Sequence, residues 1–209
     1  MKIIKIEKMR LVKNKFRLFF DDGKKLLFFA DTVVKFGLKT GLDISKDDYK
    51  EIVIYDRSNR IISDALVLVS RRSYSSKGLE TKLIEKGYEL EEVVKAVKRL
   101  RELNYINDEE FSKVRAANLL KKGKGEFVIK AELEKQGVEK SVIADTLKSI
   151  KTEVEPYERI IRILQTKFKN FSEKNKNETR RVAAFFLRRG FSPEDIAKAL
   201  RNHKNIFLE

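Results

Sequence analysis

The sequence predicts a mostly α-helical protein: tandem three-helix repeats in an elongated, curved array, preceded by a small antiparallel β domain. Three observations predict this. One pattern of apolar residues around a glycine recurs three times, aligned on Gly87, Gly137 and Gly190. Helix-capping residues stand where each pattern would begin. Strand-like stretches joined by an Asp-Gly turn are confined to the first thirty residues.

The N-terminal stretch "KIIKIEK" (2–8) mixes β-branched and charged residues. "KFRLFF" (15–20), "DDG" (21–23) and "KKLLFFA" (24–30) then read as strand, turn, strand. Asp22-Gly23 marks the hairpin, because glycine accepts the positive φ a tight turn requires. "DTVVKFGLKTG" (31–41) suits a short helix, with Asp31 as its N-cap and Gly37 or Gly41 as its stop. Ser45 can cap a helix over "KDDYKEIVIYD", whose early acids favour the positive end of the dipole. Ser58 or Asn59 either breaks that helix before "RIISDALVLVSRR" or lies within one continuous helix.

The repeat rests on matched offsets. Eight residues before the glycines stand Leu79, Ile129 and Val182, and four before stand Leu83, Leu133 and Phe186. Six after come Val93, Ile143 and Ile196; seven after, Val94, Ala144 and Ala197; ten after, Val97, Leu147 and Leu200. The offsets −8, −4, +6 and +10 have helical spacing. A glycine in left-handed dihedrals ends the earlier helix, followed by an apolar residue: Tyr88, Val138 or Phe191. "SPED" (192–195) then offers a Ser cap with Pro at the first helical position. A further helix precedes each unit, at about 61–73, 108–120 and 155–169, and Asn107 with Glu110 forms a capping box for the second. The expected domains are 1–45 (sheet and short helix), 46–60 (connecting helix), and repeats at 61–107, 108–152 and 153–209. Stacked repeats leave one face free, which suits binding along something extended.

Composition narrows the function. The chain of 209 residues contains no cysteine, which excludes disulfides and thiolate metal sites and fits a reducing cytoplasm. No leader-like apolar core or membrane-length apolar run occurs, so no membrane partner is expected. The net charge is +15, concentrated at the two ends: residues 1–60 hold 15 basic against 9 acidic groups, and residues 151–209 hold 14 against 8. Such a protein is drawn to polyanions. The one histidine, His203, reads as a solvated or capping residue rather than a base. The carboxylate pairs Asp21-Asp22, Asp47-Asp48 and Glu91-Glu92 are explained by turns and helix starts. "KKGKGEF" (121–127) lacks the strand and the Ser/Thr of a phosphate loop. A non-enzyme without cofactor or metal is expected.

Basic clusters are the candidate binding residues. Arg71 and Arg72 end the first helix of the first unit; Lys121, Lys122 and Lys124 do so in the second, and Lys167 and Lys169 in the third. Cations there also offset the helix dipole. Lys124, however, lies between glycines beyond the helix, where backbone N–H groups and an ammonium could approach a phosphate together. Arg180, Arg181, Arg188 and Arg189 form a second stripe on one helix, or simply a solvated face. No base-reading motif accompanies these residues.

The segment "ALVLVSRRSYSSKGLETKLIEKGYELEEVVKAVKRLRELNYINDEEFSKVRAANLLKKGKGEFVIKAELEKQGV" resembles the regulatory protein RecX family. Arg72, Ser75, Leu79, Leu83, Lys86, Gly87, Leu103, Asp108 and Phe111 occupy the family's characteristic places, and Leu133, Gly137 and Val138 repeat the Leu-Gly-apolar step. Residues 1–45 look like the sheet-containing extension that some members carry. Gly78 departs from the pattern: an acidic residue usually closes a capping box with Ser75, so a weaker helix start is expected here. The resemblance implies a modulator, mainly an inhibitor, of RecA recombinase that lies along the groove of the RecA–DNA filament and lowers ATP hydrolysis and strand exchange. It would act as a cytoplasmic monomer whose partners are the filament and single- or double-stranded DNA. A stand-alone, sequence-independent DNA-binding protein and a helical scaffold for some other protein are the alternatives.

Overall fold

The structure, a computed structural model, describes residues 1–10, 14–153, 155–169, 171 and 175–202. His203 lies outside the described residues. The elements in order are β1 (Ile3–Lys8), β2 (Lys15–Phe20), β3 (Lys25–Phe29), α1 (Ala30–Lys35), α2 (Lys46–Arg71), α3 (Ser76–Glu85), α4 (Leu90–Glu102), α5 (Asp108–Lys121), α6 (Glu126–Lys135), α7 (Lys140–Glu153), α8 (Pro156–Lys167), α9 (Lys176–Arg188) and α10 (Pro193–Asn202). They form two compact units. One comprises Met1–Arg72 with Leu79–Tyr105, the other Ser73–Gly78 with the chain from Ile106 onward.

In the first unit the three strands pair antiparallel in the order β1-β2-β3. Side chains alternate across the sheet. Ile3, Leu18, Phe20 and Phe28 face a core completed by Leu38, Ile44 and Ile52. The hairpin closes as expected, Gly23 taking φ +84°. Helix α1 starts differently from expectation, with Phe29 rather than Asp31 as its N-cap, and stops as expected at Gly37, which follows the C-cap Phe36 at φ +56°. The missing cap is supplied from α2. Asp56, 4% exposed, accepts hydrogen bonds from the Phe29 N–H (2.7 Å) and the Thr32 hydroxyl (2.9 Å). A carboxylate at a helix N-terminus also meets the positive end of the dipole.

Helix α2 runs unbroken through Ser58 and Asn59. The Ser58 hydroxyl donates to the Tyr55 carbonyl (2.7 Å), a back-bond that a helix tolerates. The expected caps hold elsewhere: Ser45 accepts from Asp48 N–H, Asn107 from Glu109 and Glu110 N–H, and Ser192 from Asp195 N–H.

The repeat is visible at each helix end. Gly87, Gly137 and Gly190 take φ of +91°, +70° and +86°. At each, the next residue's N–H reaches back to the carbonyl of Leu83, Leu133 or Phe186 (3.3, 3.1 and 3.2 Å). That closure satisfies carbonyls a helix end would leave open. The −8 and −4 residues are fully buried in all three units, each burial worth about 1.5–3 kcal/mol. The +6 residues Val93, Ile143 and Ile196 are buried too. The +7 residues are exposed in every unit, one helical step off the buried face.

Tyr88, just after Gly87, donates its hydroxyl to Asp64 of α2 (3.1 Å), which also pairs with Lys86 (2.8 Å). Burial and the bond to Asp64 push the Tyr88 phenol up to about 12. Its folded pKa therefore lies above the ordinary value, so the associated stability is present below pH ~10 and is lost as pH rises toward ~12. In Tyr88→Phe that component of alkaline destabilisation, measured by urea denaturation at stepped pH, is expected to vanish. Asp56→Ala orphans a buried N–H and a buried hydroxyl and is expected to cost about 2–3 kcal/mol in the same assay at neutral pH.

Candidate binding surface on the helical repeats

The predicted cations fall into distinct settings. Arg71 closes α2 and Arg72 is its C-cap, both exposed. Lys121 is the last residue of α5 and Lys122 its C-cap, both exposed, while Lys124 is half-buried. Arg180 and Arg181 are exposed near the start of α9, Arg181 within 3.8 Å of Glu178. Arg188 ends α9 and is exposed; Arg189 is its C-cap and half-buried.

Two of these groups converge. The Arg189 guanidinium donates to the carbonyls of Lys122 (2.7 Å) and Gly123 (3.2 Å) at the C-terminus of α5. It also lies 4.5 Å from the centre of the Phe185 ring, with Lys167 4.8 Å from the same ring. Arg189 is thus a cross-repeat C-cap: it sits at the negative end of a helix 66 residues away in the chain. The turn carrying Lys121, Lys122 and Lys124 is thereby held against the turn carrying Arg188, and Lys167 joins from α8. Arg180 and Arg181 lie on the same helix, about 12 Å farther along its axis at 1.5 Å per residue.

The loop glycines have a different role from the one expected. The sequence predicts that the backbone N–H groups around Lys124 face a phosphate. Instead the N–H groups of Gly123, Lys124 and Gly125 donate to Leu120 O (2.8 Å), Leu119 O (3.0 Å) and Arg189 O (2.7 Å), respectively. The glycines allow a close approach of two turns. A Cβ on Gly125 would stand 2.4 Å from the Gly190 carbonyl carbon and oxygen, and one on Gly190 would stand 2.5 Å from the Val128 nitrogen. Phe127 N–H donates to Gly190 O (3.0 Å) and completes the seam. Glu126 adds ion pairs to Lys151 (3.0 Å) and Arg159 (3.8 Å).

A second seam involves the start of α3. Ser75 donates its hydroxyl to Gln136 O (2.6 Å) and accepts from Gly78 N–H (3.0 Å), while Asp108 accepts from Ser76 N–H (2.7 Å). The helix start expected to be weak at Gly78 is therefore capped twice, once from outside. A Cβ on Gly78 would come within 2.9 Å of the Ser75 hydroxyl. Sequence reasoning missed Arg189 as a cap, Phe185 as its platform and Asp108 as a remote acceptor. Only the family position of Asp108 signalled any of them.

Fold and surface together define a mostly helical protein of tandem three-helix domains behind a small antiparallel sheet, with cations gathered where helix ends meet. Family models for the first and third three-helix domains of RecX match residues 62–100 and 153–200. The chain is 31% identical over 202 residues to the regulatory protein RecX of Caldanaerobacter subterraneus, covering 95% of this chain and 96% of that one. It is 29% identical over 199 residues to the regulatory protein RecX of Bacillus subtilis, covering 95% and 75%. A crystal structure of a regulatory protein RecX superposes with a TM-score of 0.76 at 21% identity, over 95% of this chain and 98% of the other. The chain belongs to the regulatory protein RecX family.

The seam sets an energetic expectation. Gly125→Ala and Gly190→Ala each drive a methyl into backbone and are expected to cost about 3 kcal/mol or more, lowering Tm by about 6–12 °C. Gly87→Ala, where a Cβ meets nothing within 4 Å, is expected to cost about 1 kcal/mol from its left-handed backbone alone. Thermal unfolding of the three variants by circular dichroism measures the contrast.

Proposed function

We propose that the protein is a non-catalytic modulator, mainly an inhibitor, of RecA recombinase, which binds along the groove of the RecA–DNA filament and lowers ATP hydrolysis and strand exchange. The observation that carries this reading is the end-to-end similarity to proteins called regulatory protein RecX. The geometry supports it through successive helical domains that present cations at their turns, a form suited to docking on a polyanionic assembly. In this proposal Lys121, Lys122, Lys124 and Arg188 make ionic contacts, with Arg71, Arg72, Arg180 and Arg181 as outlying ones, and Arg189 holds the two turns in register. The protein works as a monomer in the cytoplasm. No helix among the described residues is long and apolar enough to cross a membrane.

The concentration of cations around α5 and α9 also favours a second reading, sequence-independent DNA binding without a recombinase. Measured against RecA–DNA filaments, saturating protein is expected to lower ATP hydrolysis; unchanged hydrolysis defeats the first reading. The triple variant Lys121→Ala/Lys122→Ala/Lys124→Ala is expected to bind filaments more weakly, with the slope of log affinity against log salt reduced by about 3. Equal affinity for bare DNA and for filaments would favour the second reading.

A further inference from the structure

The sheet of the first unit has two faces, and only one is used by the core. On the other, strand alternation and register place Lys15, Arg17 and Phe19 of β2 between Lys5 and Glu7 of β1 and Lys25, Leu27 and Phe29 of β3. None of these eight residues belongs to the sheet's core cluster. Phe19 is directly opposite Lys5 on one side and Lys25 on the other. Both ammonium groups sit over its ring, at 5.7 and 5.8 Å from the centre. In the same way Lys15 stands 4.5 Å from the centre of the Phe29 ring. The rings are half-buried beneath lysine stems, and Leu27 is 39% exposed. Four cations share the face with one carboxylate, Glu7, which Lys5 engages at 2.5 Å.

Two aromatic rings on an outward sheet face are hard to explain by folding. Although half-buried, they contribute nothing to the sheet's core, and the outward face of a strand tolerates polar residues equally well. The pattern is one cation–ring–cation row across the sheet, Lys5–Phe19–Lys25, and a cation–ring pair, Lys15 with Phe29, about 13 Å farther along at 3.3 Å per residue. A phosphodiester chain bearing unpaired bases complements it on both counts: bases stack on rings and phosphates meet the ammonium groups and Arg17. A duplex buries its base faces, so its bases are unavailable for stacking. An acidic protein surface would use the charges but leave the rings without a role.

We propose that the open face of the N-terminal sheet is a binding platform for single-stranded nucleic acid, with Phe19 and Phe29 as stacking residues and Lys5, Lys15, Arg17 and Lys25 as phosphate contacts. This surface is separate from the helix-end cations and does not depend on the recombinase reading.

The chain has no tryptophan, so Phe19→Trp in the full chain installs a single local reporter. Oligodeoxythymidylate is expected to quench its fluorescence in a saturable, salt-sensitive way, whereas inorganic polyphosphate and duplex DNA produce no comparable quenching. Equal quenching by polyphosphate would reduce the surface to a charged patch and overturn the proposal. So would an unchanged signal at concentrations where anisotropy shows the labelled oligonucleotide bound, since binding would then lie elsewhere. The double variant Phe19→Ala/Phe29→Ala, with its fold checked by circular dichroism, is expected to bind the oligonucleotide about thirtyfold more weakly or worse, because each of the two lost stacks is worth at least about 1 kcal/mol. Lys5→Glu/Lys25→Glu, which alters exposed positions only, is expected to weaken binding at least as much. Undiminished affinity in both variants would refute the platform. Recombinase ATP hydrolysis is not a readout here, so failure of the regulatory reading and failure of this one can be told apart.

Discussion

A left-handed residue just past the end of six helices, α1, α3, α4, α5, α6 and α9, is the constraint on which the rest of this structure depends. Gly37, Gly87, Asn104, Gly123, Gly137 and Gly190 all take positive φ at the ends of helices. In each case the following residue's N–H bonds a carbonyl near the last helical turn. This closure lets the chain reverse within a few residues and begin the next helix, so three short helices can share one core. After Gly37, Gly137 and Gly190 the next residue is directed inward: Leu38, Val138 and Phe191 are 6%, 6% and 3% exposed, whereas Tyr105 after Asn104 is 56% exposed. Asn104 shows that the conformation is what matters, since asparagine is the side chain that best tolerates it after glycine.

The same turns serve a second purpose, and this ties stability to the candidate binding surface. Gly125 and Gly190 let the α5–α6 turn and the α9–α10 turn touch through backbone, and Arg189 clamps the contact by capping a helix it does not belong to. The cations on those turns are therefore positioned by packing between repeats rather than by either repeat alone. Arg189 itself is held by carbonyls and a ring. It shapes the surface through its neighbours, whereas Lys121, Lys122 and Arg188 remain exposed to a partner.

At the other end of the chain, charge and aromatic content are sorted by the pleat. The segment 1–60 is as basic as the C-terminal segment, but its composition does not reveal that Lys5, Lys15 and Lys25 gather around two phenylalanines on one side of a sheet. Phe16, Phe20 and Phe28 pack on the core side, while Phe19 and Phe29 do not. Residues adjacent in sequence thus have opposite surroundings.

The sequence by itself determined whatever rests on contacts within about one helical turn or one hairpin. The Asp-Gly hairpin, the caps at Ser45, Asn107 and Ser192, the glycine helix ends and the buried offsets around them are all of this kind, because local hydrogen bonds and the helical period connect residues close in the chain. Tertiary structure alone decided the rest. It placed Asp56 rather than Asp31 at the start of α1, carried α2 unbroken past Ser58, left the +7 residues exposed, gave Asp108 to the start of α3 and sent Arg189 across 66 residues to the end of α5. Those pairings leave no periodic trace, since each joins single residues whose proximity is set by how completed helices pack and not by their spacing in the chain.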